Sequence, residues 1–177
     1  MNPILAAGLL IGVFCALWTF VMGFTGWYKD PVMMNAFFVV ILVEVFGLVW
    51  GLRQTARQGR GWASQVLAGA FMSVIGGIVV AASSLLFTTV FFPNYFAEIE
   101  QMGREVMLRD GRSETEIAQA LEVSRPRATP KAQALGAFTG TLITGIVASA
   151  AIALVIRAKV VKPDKDQPPT ANSQTRP

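Results

Sequence analysis

A single acidic residue, Glu44, stands near the middle of an apolar run at residues 32–52 that holds no other charge until Arg53. A carboxyl at membrane depth can carry a proton or neutralise a cation, so an intramembrane acid is by default a candidate for proton or cation movement. Holding such a group charged costs on the order of 2.5–3.5 kcal/mol even on the lenient insertion scale. Glu44 is therefore expected either to be neutral or to face a hydrated interior. Its candidate hydrogen-bond partners are Thr19, Ser73, Ser83, Ser84, Thr139 and Thr144. The competing role is structural: a neutral Glu44 donating an interhelical hydrogen bond, worth about 0.6 and up to about 2 kcal/mol. No second acid or base lies within an apolar run to form a relay, which favours the structural role.

Other chemistry is sparse. The chain has no histidine, the commonest general base and metal ligand. Its one cysteine, Cys15, sits in an apolar run and cannot form an intrachain disulfide or a multi-cysteine metal site. There is no phosphate-binding glycine loop and no nucleophile elbow. An enzyme of lipid or envelope chemistry would have to rely on Glu98, Glu100 and Arg104. No catalytic residue, cofactor or metal is expected.

The elements that must position Glu44 follow from hydropathy. Of 177 residues, 53% are apolar and only 15% charged, against about 25% charged in an average soluble domain. The charges are segregated, and four long runs between them are apolar: residues 4–24, 32–52, 66–92 and 134–156. Each meets the length of about 20 residues needed to cross a hydrocarbon layer about 30 Å thick. Backbone groups in lipid must be satisfied internally, so the runs are expected as helices. The first lacks a positively charged start and a small-x-small cleavage site, so it is expected to remain as a helix, with Pro3 in its first turn.

Loop charges orient the bundle. Arg53, Arg57 and Arg60 lie between the second and third runs, and Arg157, Lys159, Lys162 and Lys165 follow the fourth. The first loop has only Lys29, offset by Asp30. The positive-inside rule then places both termini in the cytoplasm. Trp27, Tyr28 and Tyr95 fall at the outer boundary and Trp50 and Trp62 at the inner one, where amphipathic rings prefer the headgroup layer. Only Trp18 lies within a span.

Small residues at four-residue spacing allow close backbone approach, which drives helix association in lipid. The packing candidates are Gly8 and Gly12 in the first span, Gly69, Ser73 and Gly77 in the third, and Gly136, Gly140 and Thr144 in the fourth. A second stripe on the fourth comprises Ala137, Thr141, Gly145 and Ser149. Two stripes place the fourth span between neighbours, and the bulkier second span is expected outermost. Residues 94–132 form an amphipathic segment: Phe96, Ile99, Met102 and Val106 recur at helical spacing. Asp110 and Gly111 read as a turn, Ser113 to Glu116 as a capping box, and Thr129 with Pro130 as a helix start.

The order of these features carries a resemblance. Gly51, Leu52 and Arg53, then Gly59, Arg60, Gly61 and Trp62, lead through Ser64 and Gly69 into a span that ends in Phe91, Phe92, Pro93, Asn94 and Tyr95. Gly136, Gly140, Thr141, Gly145, Ile146 and Ser149 follow, then Arg157, Ala158 and Lys159. Over roughly residues 4–160 this resembles the bacterial membrane proteins grouped as domain-of-unknown-function family 4199. The resemblance implies a four-span inner-membrane protein. The family has no assigned activity, so no residue role is carried over, and Glu44 is not part of the pattern.

The expectation is an all-α polytopic membrane protein. Residues 1–160 form the four-helix domain, with an amphipathic extracytoplasmic segment between the third and fourth helices. Residues 161–177 form a disordered cytoplasmic tail. The protein is expected to be non-enzymatic and to act through the lipid bilayer, a membrane-protein partner or a second copy of itself, without nucleic acid. The alternative is a small transporter or channel component using Glu44.

Overall fold

A computed structural model describes residues 2–59 and 61–160; side chains are described as far as residue 156. The expected tail at 161–177 and Arg60 of the basic loop lie outside the described residues. Regular structure among the described residues is helical throughout. Four helices are long and apolar enough to cross a membrane, and the chain is a multi-pass membrane protein.

Helix α1 runs Pro3–Thr25. Asn2 caps it, its side chain accepting from the Ile4 amide at 3.0 Å, and Pro3 occupies the first turn where its missing N–H costs nothing. Gly26, at φ +74°, closes the helix in the left-handed conformation. The second span enters through a 3-10 turn, Met33–Phe38, and continues as α2, Val39–Ala56. Helix α3 runs Trp62–Leu86 and widens into a π-helical turn, Phe87–Phe91, before Pro93 stops it. Two amphipathic helices follow, α4 (Tyr95–Arg109) and α5 (Glu114–Ser124). The last, α6, runs Pro130–Val160. The Ser113–Glu116 capping box forms as expected, and the Thr129 hydroxyl accepts from the Ala132 amide at 3.2 Å.

The packing order differs from the expectation. The central helix is α3, which touches each of the other three spans and has the largest buried share of the four. The smallest buried share belongs to α2 and α6 alike, which agrees with the outer place expected of the second span; α6 does lie against two neighbours, α3 and α2, but the central place is α3's. The cause is where glycine meets backbone. Gly8 and Gly12 of α1 lie against the Met72 and Gly76 carbonyls of α3. Gly47 and Gly51 of α2 receive Ile11 and Ala7 of α1. Between α3 and α6 the fit is reciprocal: Ser149 sits against Gly69, and Ser73 sits against Gly145. Gly77 receives Phe138. Thus α6 uses its second small-residue stripe against α3. Gly136 and Gly140 of the first stripe face open space, and Thr144 is half-buried.

Substitution at these glycines should separate the two stripes. A methyl group at Gly69 or Gly145 meets a serine side chain, and overpacking of this kind costs about 1–3 kcal/mol. Gly136→Ala and Gly140→Ala meet nothing and gain up to about 1 kcal/mol of helix propensity. Thermal unfolding in detergent is expected to rank Gly69→Ala and Gly145→Ala below the unmodified protein, and the other two at or above it.

Candidate functional site

Glu44 turns inward. It is 4% exposed, on the face of α2 that also buries Gly47, Leu48, Gly51, Leu52 and Thr55. The opposite face presents Phe38, Leu42 and Phe46 outward. Of the six candidate partners, one reaches it: the Ser73 hydroxyl of α3 donates to its Oε1 at 3.5 Å, a long and weak bond. Its Oε1 also lies beside Gly145 of α6, whose missing side chain leaves the room. Thr19 and Ser83 instead donate to carbonyls of their own helices, those of Cys15 and Val80.

Further polar groups share this seam. The Thr55 hydroxyl lies 2.7 Å from Gln65 Oε1 and 3.1 Å from the Leu52 carbonyl. Gln65 Nε2 and Ser149 Oγ are buried without a hydrogen-bond partner among the described residues. Gln65 and Thr55 escaped sequence reasoning because both sit at the edges of apolar runs, where polar residues are ordinary.

A second feature lies toward the other end of the bundle. A cavity of about 730 Å³ opens between the span ends and the α4–α5 hairpin. Met22 of α1, Phe37 and Phe38 before α2, and Val80 and Phe87 of α3 line its membrane side. Phe96, Ile99, Gly103 and Met107 of α4 line the other side. Among the charged residues at its wall are Glu100 of α4 and Arg127 after α5, and neither takes part in an ion pair among the described residues. The apolar stripe of α4 is thus used, turned slightly from the expected Met102 and Val106.

The hairpin is braced internally by one ion pair and tied to the first loop through Glu98. Arg104 and Glu114 join α4 to α5 at 2.9 Å, an exposed pair worth little by itself. Glu98 accepts from the Tyr28 hydroxyl and from Lys29 Nζ, the latter at 2.9 Å. Lys29 therefore pairs with Glu98, while Asp30 Oδ1 accepts from the Val32 and Met33 amides. Under this latch, Tyr28, Phe87, Phe92 and Tyr95 pack with ring centroids 4.5–6.4 Å apart. Trp18, the one tryptophan inside a span, donates Nε1–H to the Ala36 carbonyl at 2.9 Å and so fixes the 3-10 entry to α2. Glu98, Glu100 and Arg104 do not converge: the first is latched, the third is paired with Glu114, and the second faces the cavity.

The Tyr28 and Lys29 hydrogen bonds hold the Glu98 carboxyl below the usual carboxylate range. A depressed acid stabilises above its unfolded value, about 4.3, and that contribution is lost as pH falls through the folded value. The protection of α4 amides, taken relative to their intrinsic exchange rate at each pH, is expected to be greatest at neutral pH and to fall as the pH drops below about 4. Glu98→Gln should lower that protection at neutral pH and lose most of its pH dependence.

The sequence matches one family model, described as "Protein of unknown function (DUF4199)", over residues 7–158. No curated protein and no solved structure matches the chain.

Proposed function

The chain belongs to the DUF4199 family, whose description assigns no activity, and on that premise we propose that it is a non-enzymatic inner-membrane protein that holds a membrane lipid beneath its α4–α5 hairpin. The observation that carries this reading is the cavity itself. Its volume of about 730 Å³ falls within the range of about 300–1,000 Å³ typical of small-molecule sites. Its wall combines apolar side chains from the spans with the apolar face of an amphipathic helix, chemistry that fits an acyl chain. Glu100 and Arg127 at the same wall offer an acceptor for an ammonium and a donor fork for a phosphate, the two charges of a zwitterionic headgroup.

Orientation supports the same picture. Arg53 and Arg57 sit at the opposite end of the bundle, and the positive-inside rule makes that end cytoplasmic. The hairpin and its cavity then belong to the extracytoplasmic leaflet. The second reading, a transporter or channel component using Glu44, is favoured by the inward turn of that residue. It requires a connection to the cavity, and Ile11 and Phe138 fill the layer at Gly76 and Gly77 between the two.

Gly103 provides the test, because a side chain built there meets nothing within 4 Å and so enters free space at the cavity. Protein purified in mild detergent is expected to carry lipid that survives exchange into lipid-free detergent. Gly103→Trp should lower that lipid several-fold while leaving the helical content unchanged. Equal lipid content in the folded variant and in the unmodified protein would remove the cavity from the account.

A further inference from the structure

Five of the buried polar side chains lie on one seam in the half of the bundle nearer the arginine loop. Thr55 and Gln65 form its lower level, Ser149 against Gly69 the next, and Ser73 with Glu44 against Gly145 the third. Gln65, Gly69 and Ser73 are successive turns of α3, so the three levels span about 12 Å at about 1.5 Å per residue. Two groups in this column have no partner among the described residues. Ser149 is 0% exposed and its hydroxyl is unbonded. Gln65 is 4% exposed, and its Nε2 is unbonded. Turning the Gln65 amide over does not help: Thr55 can give its proton to the Leu52 carbonyl and accept from the amide nitrogen, but the oxygen then takes the unbonded position. Leaving such groups dry costs about 1–3 kcal/mol each.

We propose that the column binds internal water, and that this water carries protons between the Glu44 carboxyl and the face of the bundle that bears Arg53 and Arg57. Water is the ligand that fits because the column offers both donors and acceptors: a hydroxyl, an amide end and a carboxyl. A metal cation would be repelled by an amide N–H and is not what an unbonded Nε2 calls for. The step balances simply. The neutral carboxyl gives its proton to the adjoining water and receives another along the hydrogen-bonded chain, so no net charge stays in the core. Toward the other end the path stops. Ile11 against Gly76 and Phe138 against Gly77 form an apolar layer, and the cavity begins on α3 only at Val80, about 10 Å above Ser73. Among the described residues the titratable neighbour within electrostatic reach of Glu44 is the Cys15 thiol of α1; α3 and α6 present Ser73 and Gly145 to it.

Infrared spectroscopy of the protein in lipid nanodiscs, at an acidic pH where the carboxyl holds its proton, reads this directly. The carboxylic C=O band of Glu44 is identified by its loss in Glu44→Gln; if that variant does not fold, Glu44→Asp shifts the band instead. On transfer to D2O the band is expected to shift promptly. Ser149→Ala and Gln65→Leu should each slow the shift by roughly tenfold or more, the effect of losing one hydrogen-bonded link. Ser84→Ala, on the cavity side, should leave it unchanged. A band that does not exchange, equal exchange in all variants, or slowing by Ser84→Ala alone would each overturn the proposal.

Discussion

The structure rests on close backbone approach at α3. Lipid offers helices no hydrophobic reason to associate, so contact must come from packing, and packing is tightest where a side chain is absent. Gly8 and Gly12 bring α1 onto α3, and the exchange of Ser149 into Gly69 and Ser73 into Gly145 brings α6 onto its other side. Once these seams are set, α2 closes the bundle through Gly47 and Gly51. Glu44 then has an interior to face. A carboxyl that would be costly against lipid is placed beside a serine and a glycine.

The same constraint explains why the two ends differ. Near the arginine loop the helices interlock residue by residue, and hydroxyls and an amide lie buried between them. Beyond Gly77 the glycines of α6 turn outward, and α3 ends in phenylalanines on a π-helical turn. There α1 still meets the end of α3, Gly23 receiving Phe87 and Phe92, and the hairpin covers the remaining opening. It turns Phe96, Ile99 and Met107 inward together with the carboxylate of Glu100, while Glu98 forms the latch and Arg104 pairs with Glu114.

Much of this was legible in the sequence. Hydropathy located the spans, the Ser113 capping box and the Thr129 cap formed where their residue types placed them, and Glu44 turned inward as the cost of exposing it demands. These are local or solvent-driven features. The choice between the two small-residue stripes of α6 was not legible, because Gly136, Gly140 and Thr144 have the same spacing as Ala137, Thr141 and Gly145. Which stripe wins depends on the rotation of α6 against α3, a property of both helices. The Lys29–Glu98 pair joins residues far apart in sequence, while the adjacent Asp30 carboxylate caps the next turn instead. The cavity was least visible of all. Its walls come from all four spans, the first loop and both hairpin helices, and no one of these carries a signature of its own.

The central claim is that the hairpin roofs a lipid-filled space at the splayed end of a bundle that is closed at the other. A density map of the full chain in nanodiscs of native lipid composition tests it most directly. The account predicts an elongated feature between Phe38, Phe87 and Ile99, ending in a headgroup between Glu100 and Arg127. A map in which α4 packs directly on α3 and α6, with no space and no lipid beneath it, would contradict the account.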